Sequence, residues 1–457
     1  VTAPQRWAVV GGGMLAMTLA HRLRAEGHEV TLIEAAPDLG GLASAWSLDV
    51  AGADPITWDR HYHVTLLSDH RVRALLAELG LEDQMRWVET RTGCYADGEL
   101  YSVSNTVEFL RFPPLRLLDK LRLGGTIFYG SKIRDGRRME QIPVSDWLER
   151  WSGRRTFERF WVPLLRAKLG DSYREASAGF IWATIQRLYA ARRSGLKKEM
   201  FGYVPGGYAH TIDTFAGVLG DEGVTVRLGC PVASVASVAS VAPSGQGLTV
   251  RTRDGDEAFD RVVVTTAAPL ASTLCPDLSD EERASLDGVR YQGIVCASVV
   301  LRRPLAPYYL TYITDPDTPF TAVVEMTAFV DPAEVGGHTL VYLPKYVAPD
   351  DELFEATDDE VRARFLPYLQ RMHPDLHDDD VLSFRVSRAR QVFAVPTIDY
   401  SRRVPPMVTS VPGLYLAGSA HLVSATLNVD DTLALVDEAM AAIARNEGAR
   451  RPEVAVP

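Results

Sequence analysis

In "WDRHYHV", residues 58 to 64, His61 and His63 flank Tyr62 beside an aspartate and an arginine. Imidazoles ionise near neutrality, so such a pair can bind a metal, donate to a bound ring or shuttle a proton. A zinc site wants four nitrogen, sulfur or oxygen ligands, and no further partners stand near by in the sequence. No metal is therefore expected. In an extended segment His61 and His63 would share one face and Tyr62 would take the other. Backbone contact to a ligand, with both rings solvated, is the plainer alternative and stays open.

Three other groups carry potential chemistry. Glu325 sits in an apolar strand, "TAVVEMTAF", where a buried carboxylate acts as a base, holds an amine or hydroxyl, or pairs with an arginine. Tyr342, Lys345 and Tyr346 in "VYLPKY" can line a cavity or serve as packing. The basic stretch "RFPPLRLLDKLR", Arg111 to Arg122, can guide an anionic substrate or rest on a membrane surface. A solvated helix face is the reading adopted for it.

A local nucleotide motif frames these residues. A short β-type run from Trp7 to Val10 meets a glycine triplet, then a helical pattern from Met14 to Ala25 that stops at Gly27. "EVTLIE" forms a second strand ending in Glu34. Gly11 to Ala16 has the form GxGxxA between strand and helix. Gly11 permits the turn, Gly13 lets a pyrophosphate approach the helix end, and Ala16 allows close packing on the sheet. Glu34 can hold a ribose diol, which points to the ADP part of FAD or NAD. Gly40 and Gly41 can bring further backbone N–H groups near the phosphates. "GLYLAGSAHLVSATLNVDD" adds a buried strand, a polar loop and a helix start at Asn428 to Asp431. The free N–H groups there suit the pyrimidine edge of a flavin, or an aspartate simply caps the helix.

The chain of 457 residues carries a net charge of −11, which argues against a nucleic-acid partner. Cys94, Cys230, Cys275 and Cys296 are scattered, as in a protein of the reducing cytoplasm. No signal peptide and no window of about 20 apolar residues is found. Hairpins are predicted at Asp97-Gly98 and Asp254-Gly255. A mostly helical stretch is predicted over 110–220, then short strands up to "HTLVYLP", and helices from Asp358 and from Asp430. "ASVASVASVA" at 233–242 reads as a strand running into a loop, and "EGARRPEVAVP" as a disordered tail.

With these segments the sequence resembles the FAD-dependent amine-oxidase/protoporphyrinogen-oxidase-like superfamily. The resemblance rests on "VVGGGMLAMTLAHRL", "VTLIEAAPDLGGLA", "GYVPGGYAHTIDTFAGVL", "GVTVRLGCPVASV", "DRVVVTTAAP" and "GLYLAGSA". "DRHYHV", "YADGELYSV" and "GGHTLVYLPKY" are similar to a bacterial subgroup with no assigned substrate. The resemblance implies non-covalent FAD contacted by Gly11, Gly13, Met14, Ala16, Glu34, Ala35, Gly40, Gly41, Leu42, Ala43 and Tyr62. Val232 would meet the adenine, Gly418 and Ser419 the ribityl phosphate, and Asn428 and Val429 the flavin. Ser419 replaces the usual acid after "LAG", and "SATLNVDD" replaces a run of small residues. The resemblance also places residues 58–64 against the flavin and Glu325 above it, which makes His61, His63, Glu325 and Tyr342 the catalytic candidates.

The expected fold is α/β, a glutathione-reductase-type Rossmann FAD domain interleaved with a mixed-sheet substrate domain carrying a helical insertion. FAD-binding segments are expected at 1–65, 216–275 and 396–447, substrate-domain segments at 66–215 and 276–395, and a tail at 448–457. The expected function is an FAD-dependent oxidoreductase, an oxidase or a dehydrogenase/desaturase, taking a hydride from a small-molecule substrate. A flavin-dependent non-redox mutase or isomerase acting on a nucleotide-sugar-like substrate is the alternative, suggested by "HYHV", which is similar to a histidine run of UDP-galactopyranose mutases, and by the basic 111–138 region. A non-catalytic flavin-binding protein is a third. A cytoplasmic monomer or homodimer is expected, with no integral membrane segment.

Overall fold

The computed structural model describes residues 4–192, 200–239, 246–316, 318–423 and 427–449. Arg6–Val10 forms the third strand of a five-stranded parallel sheet, flanked by Glu29–Ile33 and Arg261–Val264, with Thr225–Arg227 and Leu414–Leu416 at the edges. Its residues alternate in burial partner, as period-two strands require. Trp7 and Val9 join the core beneath the helices Met14–Ala25 and Val429–Ala449, while Ala8 and Val10 join the core on the opposite face. Trp7 stacks on Tyr415 from the far strand, with ring centroids 5.8 Å apart. The parallel sheet thus lies buried between two apolar layers.

A second, seven-stranded mixed sheet lies beyond it. Its order runs Val381–Ala394, Tyr291–Leu301, Thr339–Val347, Ala322–Glu325, Leu310–Ile313, Thr92–Ala96, Glu99–Ser102. All neighbours are antiparallel except Leu310–Ile313 with Thr92–Ala96. One face packs on the helix Asp358–Met372. The other packs on helices from 106–192 and on residues 58–66. The Asp97-Gly98 turn has both residues at positive φ, as a two-residue hairpin needs.

Several expectations need correction. Met200–Tyr203, within the stretch read as helical, is a strand between Thr65–Leu66 and Arg86–Glu89. Val381–Ala394, at 14 residues, was not read as a strand at all. It carries three arginines, of which Arg388 pairs with Asp358 at 2.9 Å and Arg385 lies 4.3 Å over the Trp46 ring, so polar residues on both faces conceal a paired strand. The tail expected from 447 begins later. Glu447 lies in the last helix, which runs to Ala449, and holds Arg261 at 2.7 Å. The remaining tail, the end of "ASVASVASVA" and residues 424–426 of "SATLNVDD" lie outside the described residues. The boundary drawn at 215/216 falls inside the helix Gly207–Asp221, whose Ile212, Phe215 and Leu219 pack in the core under the parallel sheet.

Candidate active site

The glycine loop builds a cradle by close backbone approach. Gly11 has φ +118, and a Cβ there would stand 2.3 Å from Thr265 Oγ1. A Cβ on Gly12 would stand 2.8 Å from the Glu34 carboxylate, so that carboxylate lies directly over the loop. Gly13 is different: the nearest protein atoms to its Cβ position, on Gly40 and Gly41, are 3.9 Å away. Gly40 N–H donates to Gly12 O at 2.8 Å, which draws the Gly40-Gly41 turn alongside. Gly13 caps the helix Met14–Ala25 with no side-chain bond, and the first-turn residues Met14, Leu15 and Ala16 are buried. A buried, uncapped helix N-terminus leaves N–H donors and a positive dipole end facing the gap above Gly13. The residues therefore fit the diphosphate of an ADP-containing cofactor.

At the adenosine end, Glu34 Oε1 accepts from Ala36 N–H at 2.6 Å, and Cys230 N–H donates to Glu34 O at 2.8 Å. Val232 opens its strand two residues further on. Leu42 and Ala43 lie in the 3-10 turn Gly41–Ala43, and Ala35 is exposed. Gly418 is held tightly, since a Cβ there would lie 2.7 Å from Thr266 O. Its N–H meets His421 Nδ1 at 3.1 Å, and Ser419 follows in the same turn. His421 is buried with Nε2 unpartnered among the described residues. Asn428 caps the last helix by accepting from Asp431 N–H at 2.9 Å. Asp430 instead accepts from Arg71 and Val72, at 2.8 and 3.1 Å, and so caps the neighbouring helix His70–Glu78.

Residues 60–64 are not a strand, so the expectation of a shared histidine face is corrected. The strand Ile56–Asp59 ends, and the next side chains diverge. His61 is buried against the sheet with Nε2 3.3 Å from Ser387 Oγ, and burial holds its pKa down to about 3. Its Nδ1 has no hydrogen-bond partner among the described residues. His63 turns toward the helix Gly207–Asp221, its ring 5.0 Å from Tyr208 and its Nδ1 3.8 Å from Asp59 Oδ2. Asp59 accepts from Tyr208 N–H at 2.8 Å, and burial raises its pKa despite His63. With Met14, Tyr208 and Val429, Asp59 and His63 line a cavity of about 30 Å³, room for one water. Among the described residues the buried Nε1 atoms of Trp46 and Trp58 and the Nδ1 atoms of His61 and His63 have no hydrogen-bond partner, a pattern that a ligand could complete.

Tyr62 enters a chain that sequence reasoning missed. Its hydroxyl lies 3.0 Å from that of Tyr346, and Lys168 Nζ donates to Tyr346 at 2.5 Å. Lys168 Nζ also sits 3.8 Å over the Tyr346 ring and has no carboxylate partner among the described residues. Burial alone lowers its pKa to about 7, so a neutral amine is available at physiological pH. Tyr342 completes the wall, donating to Asp59 O at 2.5 Å. Lys168 stands in the helix Val162–Leu169, where the text "LLRAKLG" gives only the spacing of an ordinary amphipathic helix.

Glu325 does not join this group. Val324 and Tyr342 face the helical side of the sheet, whereas Glu325 pairs with Val341, whose side chain belongs to the opposite core. Its Oε2 accepts from Leu305 and Ala306 N–H at 3.2 Å each, and burial raises its pKa to about 7. Lys345 likewise turns away, donating to Thr318 O at 3.2 Å. The carboxylate expected above the flavin is therefore a loop anchor behind the sheet.

A family model for "Flavin containing amine oxidoreductase" matches residues 17–427. A "probable zeta-carotene desaturase" of Synechococcus elongatus is 24% identical over 227 residues, covering 45% of this chain and 46% of that protein. The chain thus spans less than half the length of that curated relative. Among solved structures, a "putative protoporphyrinogen oxidase" from Exiguobacterium sp. 255-15 superposes with TM-score 0.75 at 18% identity, over 98% of this chain and 100% of that one. Reduced UDP-galactopyranose mutase gives 0.74 at 15% identity, over 97% and 95%. Both are likenesses of fold. No described helix is long and apolar enough to cross a membrane. The family match extends over most of the sequence, and the cradle fits the diphosphate of a dinucleotide: this chain belongs to the flavin-containing amine oxidoreductase family.

Proposed function

We propose that the protein is an oxidase or desaturase that takes a hydride from a C–H bond of an uncharged, lipid-soluble small molecule. When bound, FAD non-covalently held by the glycine cradle supplies the two-electron acceptor. The observation that carries the reading is the composition of the sheet face toward residues 58–63. Ile294, Cys296, Val324, Tyr342 and Tyr346 line it, with a lysine at its edge, and the one carboxylate on their three strands, Glu325, faces the opposite core. A cationic amine buried there would meet a lysine and only Asp59, a carboxylate already engaged by Tyr208 and His63 and raised in pKa by burial, so its desolvation would cost several kcal/mol. An uncharged polyene or similar hydrocarbon would meet complementary apolar and aromatic surface. The partial match to a desaturase supports the same choice.

The residues divide the work. Tyr342 holds the 58–63 segment by its backbone, and Ser387 contacts His61, which burial keeps neutral. A proton released beside Tyr62 passes to Tyr346 and on to the amine of Lys168 as the phenols exchange their own protons. The mutase alternative has only the fold likeness in its support, because His61 and His63 do not act as a pair. Incubation of FAD-loaded protein with the lipid-soluble extract of its source cells tests the reading. A product lighter by two hydrogens is expected, and consumption of primary amines alone would overturn it.

A further inference from the structure

The helix Leu117–Lys132 departs from an ordinary surface helix. Its buried side carries Asp119 and Lys120 beside Leu123 and Thr126, and its exposed side carries Leu117, Leu118, Leu121 and Phe128, each about 58 to 64% exposed. The buried polar groups are engaged: Asp119 pairs with Arg155 at 3.2 Å, and Lys120 donates to Leu110 O at 2.7 Å. The outward apolar stripe is thus a stable feature of the helix and runs for roughly 16 Å along it. Tyr129 and Trp151 extend it, their rings 4.2 Å apart and both partly exposed. Val107 and Leu110 extend it at the other end. Eight of the eleven exposed large apolar side chains among the described residues fall in this one stretch, 107–151. Soluble monomers rarely leave so much contiguous apolar surface bare.

Charge chooses the occupant. Residues 106–138 contain eight Lys/Arg and three Asp/Glu, a net +5 within a chain of −11. Arg111, Arg116, Arg134, Arg137 and Arg138 are exposed and have no carboxylate partner among the described residues. We propose that this apolar stripe and its basic rim form a docking surface for an anionic lipid bilayer, with the helix lying in the interface plane. Leu117, Leu121 and Phe128 enter the acyl boundary, Tyr129 and Trp151 sit at headgroup level, and the arginines meet lipid phosphates. A second copy of the chain is a poorer partner, because a two-fold contact sets this basic patch against itself. The acidic remainder of the surface is repelled by the same membrane and orients the protein on it. The site follows from the helix alone and does not depend on which substrate the flavin oxidises.

Co-sedimentation of the FAD-loaded protein with vesicles tests this. Wild type is expected to bind vesicles of phosphatidylcholine with phosphatidylglycerol, and to bind pure phosphatidylcholine at least tenfold more weakly at low salt. The triple variant Leu117→Ser, Leu121→Ser, Phe128→Ser, altered only at exposed positions, is expected to keep its flavin spectrum and lose at least tenfold in vesicle affinity. Wild type that binds no vesicle overturns the proposal, as does a triple variant that binds unchanged. Self-association of wild type that the triple variant abolishes, without lipid binding, assigns the face to a second copy instead.

Discussion

Lys168 and Tyr346 meet at 2.5 Å where a helix of the insertion crosses the central sheet, and Tyr346 passes the contact to Tyr62 at 3.0 Å. The three side chains come from residues far apart in sequence and share one line, with Tyr346 buried and Tyr62 and Lys168 half-buried. Burial, with no carboxylate partner among the described residues, lowers the pKa of its lysine to about 7.

That line predicts the pH profile. The amine accepts a proton only when neutral, so kcat/KM rises with pH through a limb near 7. Lys168→Met is expected to lower kcat/KM by about 100-fold, the usual worth of a general base, and to remove this limb. His61 contributes no limb, since burial keeps it neutral down to about pH 3. A profile unchanged in the variant would remove Lys168 from the mechanism.

Glu325 is predicted to matter for stability and not for turnover. Its folded pKa is raised to about 7 from 4.5, so the folded state holds the proton more tightly. Its stabilising contribution is complete below about pH 4.5 and is lost as pH rises through 7. Glu325→Gln keeps an acceptor for Leu305 and Ala306 and removes the ionisation. Denaturant unfolding should show the variant gaining, relative to wild type, on the order of 2 kcal/mol between pH 5 and pH 8. Its kcat should stay within about twofold, as expected of a side chain outside the site.

The glycines separate fold from cofactor. Gly13→Ala places a Cβ with 3.9 Å of clearance from protein, so the flavin-free protein should unfold at the wild-type midpoint while FAD affinity falls by tenfold or more. Gly11→Ala drives a Cβ to 2.3 Å from Thr265 Oγ1 at φ +118, and the flavin-free midpoint itself should fall. Equal midpoints for the two variants would contradict the cradle geometry.

Arg261 and Glu447 tie the last helix to the parallel sheet through two 2.7 Å contacts, with Tyr415 beside them. Removing one partner strands a partly buried charge, so Arg261→Met should destabilise by about 2 to 3 kcal/mol in denaturant unfolding. A loss below 0.5 kcal/mol would class the pair with exposed ion pairs.

The nucleotide cradle was legible because its signals are local. Helix periodicity, the stop at Gly27 and the GxGxxA spacing place Gly11, Gly13 and Met14 within a few residues of one another. The strand around Glu325 was equally legible, but the side it faces was not. That depends on register, and a shift of one residue exchanges the faces of the sheet. Lys168 was invisible for a different reason: its role comes from Tyr346, 178 positions away, and from burial that no neighbouring residue announces. The stripe on Leu117–Lys132 could be read as amphipathic, but its direction is set by tertiary contacts of Asp119 and Lys120.

The most direct measurement is the anaerobic visible spectrum of the purified, FAD-loaded protein as fractions of its source cells are added. The account predicts that the lipid-soluble fraction bleaches the oxidised flavin band and that the cationic amine fraction does not. A flavin left oxidised by every fraction, in a protein that converts a nucleotide-sugar after chemical reduction, would contradict it.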